Sequence, residues 1–101
     1  MSNRFIEGFP PGCRHSTVDV GDNSTTVYTG RCYLIGIHVN VVLSAHACVI
    51  KDNTTSVLTI PASAAAGTFY PCHGMEIQTS LVVDPDDAGT GNLTVMYYWD
   101  R

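Results

Sequence analysis

From Cys32 onward the chain alternates between apolar and small or polar positions. Tyr33, Ile35, Ile37, Val39 and Val41 are apolar, and Gly36, His38 and Asn40 fall between them, the period of two expected of a strand with one buried face. A central strand is predicted there. Further segments rich in Val, Ile, Thr and Tyr predict strands over 47–51, 56–60, 68–70, 76–83 and 93–99, with two weaker ones at 17–20 and 24–29. Ile77, Leu81 and Val83 share one parity, and Leu93, Val95, Tyr97 and Trp99 share another. Between the strands, 52–55, 61–67, 72–74 and 84–92 collect the Gly, Pro, Asn and Asp that turns require. About eight short strands at this spacing predict an all-β fold, a small antiparallel β-sandwich or jelly roll, because a single sheet would leave one apolar face in water. The only helical candidate, 62–66, is too short for more than one turn.

Residues 1–16 break the alternation. Phe5, Ile6 and Phe9 are apolar, but Pro10 and Pro11 remove the ladder donors that a central strand needs. The segment therefore reads as an extended N-terminal arm ahead of one domain over 17–101. A length of 101 residues suits a single core, and 45% hydrophobic against 14% charged residues lies far from the composition of disordered chains.

Charge removes several function classes. The net charge is −4, and the basic residues Arg4, Arg14, Arg31, Lys51 and Arg101 are scattered, so no cationic cluster is available to neutralise nucleic-acid phosphates. No apolar run has the length of a signal peptide or a membrane span, so neither export nor a membrane partner is expected. The triplets at Asn23, Asn53 and Asn92 match the glycosylation sequon and read as turn chemistry.

The chemistry-bearing residues form no site template. Cys13, Cys32, Cys48 and Cys72 include no CxxC pair and match no zinc spacing, so no metal is expected. Cys48 shares the parity of Ile50 and reads as a small core residue, whereas Cys13 and Cys72, in turn-like segments, are the expected partners of any disulfide. His15, His38, His46 and His73 accompany no nucleophile motif, and Asp84, Asp86 and Asp87 sit on one loop, so no pair of carboxylates flanks a substrate from two sides. A calcium loop starting at Asp84 fails at Ala88 and at Val95, where a bidentate Glu is required. The reading is a protein without catalytic residues or cofactor, which works through surfaces.

The runs TyrLeuIleGlyIleHisVal at 33–39, AlaCysValIleLysAspAsn at 47–53, LeuThrIleProAla at 58–62 and GlyThrGlyAsnLeuThrValMetTyrTyr at 89–98 resemble small virion proteins of tailed bacteriophages, above all the capsid cement or decoration proteins. The resemblance covers about residues 30–100 and rests on a rhythm of strands and turns. It implies a homotrimer on the outer capsid surface that ties major capsid protein subunits together, made in the cytoplasm of the bacterial host. Phe5, Ile6, Phe9, Pro10 and Pro11 are the candidate capsid or subunit contacts. The alternative is a receptor- or carbohydrate-binding module of a phage fibre, with Tyr97, Tyr98 and Trp99 as stacking faces, although parity places Tyr97 and Trp99 in the core.

Overall fold

In the computed structural model, which describes residues 13–21, 23–85 and 89–99, eight strands follow one another. They are β1 (Arg14–Asp19), β2 (Thr25–Thr29), β3 (Cys32–Val41), β4 (Cys48–Asp52), β5 (Thr55–Ile60), β6 (Phe69–Ile77), β7 (Ser80–Pro85) and β8 (Asn92–Tyr98). Each pairs antiparallel with its mirror image about the β4–β5 hairpin: β1 with β8, β2 with β7, β3 with β6. Two more pairings, β3 with β8 and β4 with β7, roll this double ribbon into sheets ordered β1-β8-β3-β6 and β2-β7-β4-β5. The result is a β-sandwich with the strand order of a jelly roll, which buries the apolar face of each sheet against the other.

The core lies between the sheets. Leu34, Ile37, Val39, Ile77, Leu93 and Val95 come from the first sheet, and Cys48, Ile50, Ile60, Leu81 and Val83 from the second, all fully buried. Each large aliphatic side chain stabilises the fold by about 1.5–3 kcal/mol relative to exposure. On β8 the predicted parity holds, with Leu93, Val95 and Tyr97 inward and Trp99 packed against the core rim.

On β3 the parity does not hold along its length. Cys32 and Leu34 face inward, then Ile37 and Val39 do, because the register against both neighbours shifts between Leu34 and Gly36. The extra residue at this bulge moves the inward set from even to odd positions. Tyr33 therefore faces out, and Val41, beyond a second shift, is exposed.

Three further boundaries differ from the sequence reading. The stretch 72–74 is part of β6, a bulge in which His73 and Gly74 take positive φ values of 57° and 74°. The predicted strand 76–83 is cut by a turn at Gln78–Thr79. The carboxylate of Asp52 holds that turn, accepting from the backbone N–H groups of Gln78 and Thr79 at 2.9 Å each and of Ser80 at 3.4 Å. β1 begins at Arg14, inside the segment read as arm, and 62–66 forms turns, with no helix among the described residues.

Candidate interaction surface on the outer face of the first sheet

With the core buried between the sheets, the outer faces carry side chains open to a partner. Cross-strand register sets the outward residues of the first sheet in rows. Tyr98, Tyr33 and Glu76 form one; His15, Met96, Gly36 and Pro71 the next; Thr17, Thr94, His38 and Phe69 a third. The Tyr33 and Tyr98 rings stack with centroids 5.1 Å apart and planes at 27°. Arg31 reaches over Tyr33 at 5.9 Å while its guanidinium pairs with Glu76 at 2.7 Å. Being exposed, that ion pair fixes orientation more than it adds stability.

The missing side chain of Gly36 makes room for the Phe69 ring. A Cβ at Gly36 would collide with ring atoms of Phe69, so the ring packs over the glycine while Phe69 still exposes 44% of its surface. Beside it, Asn40 donates from Nδ2 to Thr94 Oγ1 at 2.7 Å, and its Oδ1 meets His38 Nδ1 at 2.9 Å. The face thus combines an aromatic and thioether strip with a fixed polar chain, a mixture of the kind found at protein–protein contacts.

The outer face of the second sheet is different in kind. Its rows are Thr26, Val82, Lys51 and Ser56, then Asp84, Val49 and Thr59, and Lys51 pairs with Asp84 at 2.7 Å. No aromatic side chain occurs in these rows.

The sequence-derived candidates fall in different places. Phe5, Ile6, Phe9, Pro10 and Pro11 lie outside the described residues, as do Asp86 and Asp87. Tyr97 is buried, and Trp99 stacks on Tyr28 at 4.9 Å under the Arg14 guanidinium at 4.1 Å, so of the three proposed stacking faces only Tyr98 belongs to the outer surface. Cys13 and Cys72 do not pair. They belong to opposite edges of the first sheet, about 14 Å apart by strand spacing, where a disulfide needs Cα atoms within about 7 Å. All four thiols are free. Burial, reinforced by the charge of Asp84, pushes the Cys48 thiol up to about 12, and burial with the charge of Asp52 pushes Cys32 up to about 11. Burial also raises Cys72 and Cys13, so none of the four is activated as a thiolate nucleophile.

Tyr33, Met96, Pro71 and Phe69 escaped sequence reasoning. One local signal was present: a glycine inside a strand pattern, Gly36, marks a bulge or a close approach, and here it marks both. No family model, no curated protein and no solved structure matches the chain.

Proposed function

We propose that this chain is a structural subunit of a tailed-bacteriophage virion, a capsid cement or decoration protein that binds major capsid protein on the outer capsid surface and acts without catalysis. The observation that carries the reading is the outer face of the first sheet, where Tyr33, Tyr98, Met96, Pro71 and Phe69 stand together on a sandwich whose opposite face sets Thr, Val and Ser around an ion pair, with no aromatic side chain in its rows. Apolar strips of this kind mark interaction sites. The resemblance in strand-and-turn rhythm supports the same role and adds the homotrimer. In this proposal Phe5, Ile6, Phe9, Pro10 and Pro11 of the arm extend the contact.

The test is binding to purified capsids that lack the protein. Replacing Tyr33 and Tyr98 together by Ser is expected to weaken binding at least tenfold, the loss of about 1.4 kcal/mol, with the thermal midpoint shifted by only a few degrees. Deletion of residues 2–9 is expected to weaken it further. Full-strength binding by the double variant would refute the role of this face. The Tyr33–Tyr98 plate, with the hydrogen-bonded His38–Asn40–Thr94 chain two rows along the same face, favours a second reading, a carbohydrate-binding fibre module. Glycan-array binding without capsid affinity would select it.

A further inference from the structure

A sandwich has four edge strands, and here they are not equivalent. β6 carries Pro71 and the bulge at His73 and Gly74. β2 holds an extra residue at Val27, where its register against β7 shifts, and β5 holds one at Val57, where its register against β4 shifts. Prolines and bulges are the devices by which edges avoid pairing with other chains. β1 has none of them. Its register against β8 runs unbroken from Arg14↔Tyr97 to Asp19↔Asn92, and Arg14, His15, Thr17 and Asp19 are exposed.

We propose that the outer edge of β1, which pairs with no strand among the described residues, pairs antiparallel with β1 of a second copy, about a two-fold axis perpendicular to the sheet and centred on Thr17. Such an axis keeps both outer faces on one side, so residues of like parity must oppose each other. Centring on Thr17 sets Thr17 against its own counterpart. It also sets His15 against Asp19 of the second copy twice over, an imidazole facing a carboxylate with no like charges opposed. Asp19 is presented firmly, since its Oδ1 already accepts from the N–H of Gly21 at 2.8 Å. Four-stranded sheets of two copies thereby become one continuous sheet, with both outer faces on one side and the two Tyr33–Tyr98 strips at its diagonally opposite ends. This two-fold contact goes beyond the proposed capsid role and is separate from the three-fold association that the resemblance implies.

The experiment uses the full chain with Cys13→Ser and a single new thiol. Directly opposed residues of an antiparallel pair have Cα atoms about 4.5–5.5 Å apart, within disulfide range. Thr17→Cys is expected to yield a covalent dimer on a non-reducing denaturing gel after mild oxidation, several-fold more than Thr59→Cys on the bulged β5 edge. Thr17→Lys, exposed in the subunit, is expected to keep the thermal midpoint within a few degrees while the mass by light scattering falls. Equal or absent cross-linking at the two positions, or a mass untouched by Thr17→Lys, overturns the pairing. Failure to bind capsids would refute the proposed function and leave the cross-link unchanged, so the two ideas fail separately.

Discussion

The two ends of the sandwich are built by different means. At one end the chain turns through two-residue links, Gly30–Arg31, Asn53–Thr54 and Gln78–Thr79. They are stitched together by Gly30 N–H donating to Thr79 O at 2.8 Å, Asn53 N–H to Ser80 O at 2.9 Å, and the Asp52 carboxylate. At the other end run the long connections, including 42–47 and 61–68. These are held by backbone: Leu43 N–H donates to Ala64 O at 3.0 Å, Ser63 N–H to Ser44 O at 2.7 Å, and Ser44 N–H to Thr90 O at 3.1 Å. Buried Leu43 and Ala64 pack beneath them. The short turns add one charged side chain to their backbone bonds, whereas the long loops rest mainly on close backbone approach. A single substitution therefore does different damage at each end.

The largest effect is expected at the long-loop end from Gly91→Ala. Gly91 has a φ of +112°, and a Cβ there would sit 2.7 Å from Val42 O and 3.0 Å from Val41 O, both backbone atoms that cannot swing aside. Strain and clash together should cost about 3 kcal/mol. For a domain of this size the thermal midpoint should fall by roughly 10–20 °C. A drop of under 3 °C would mean that the loops rearrange freely and that the contrast between the ends is wrong.

Next comes Asp52→Ala at the short-turn end, expected to cost about 1 kcal/mol for the lost N–H acceptors on a solvent-accessible turn. Partial burial raises the Asp52 pKa, but the N–H groups of Gln78, Thr79 and Ser80 outweigh it, and the net value lies below the ordinary carboxylate range. A folded-state pKa that is depressed gives stability that is full above the unfolded value near 4 and is lost as pH falls through the folded value. Urea unfolding of the native chain and the variant should differ at pH 7 and draw together as pH falls below the unfolded value and through the folded one. A difference constant across that window would show that the carboxylate is not the clamp.

Ser44→Ala should cost less, about 0.5–1 kcal/mol. It removes the Oγ acceptor of Thr90 N–H at 3.1 Å but leaves the backbone bonds of Ser44 in place. The smallest effect belongs to neither end. Lys51→Ala breaks the half-exposed pair with Asp84 on the second sheet's outer face and should change stability by under about 0.5 kcal/mol, in the range of surface ion pairs. Chemical denaturation ranks all four variants, and an inverted order would dissolve the distinction between the ends.

Legibility in the sequence followed the same divide between local and distant causes. β8 was readable because Leu93, Val95 and Tyr97 keep one parity along a strand with no extra residue of its own, its register against β1 running unbroken and the extra residues of its pairing with β3 lying on β3. Residues 72–74 look like a turn since Gly and His suit positive φ, yet the same conformations also build a bulge within a continuing strand. Gln78–Thr79 carries no turn chemistry of its own. Its N–H groups are satisfied by Asp52, 26 residues away from Gln78 along the chain. The candidate surface was half visible: Tyr98 was singled out, but Tyr33 was assigned to the core because the bulge beside Gly36 reverses its side.

By itself, then, the sequence determined the all-β class, the approximate strands and the side-chain parity of regular segments. These depend on backbone preference and a period of two, both set within a few residues. Only the tertiary structure decided the jelly-roll order, the bulges that switch β3, the rows that gather Tyr33, Tyr98, Met96 and Phe69, and which edge is left regular. Those features are properties of pairs of strands distant in the chain, and a one-residue change of register moves every side chain to the other face.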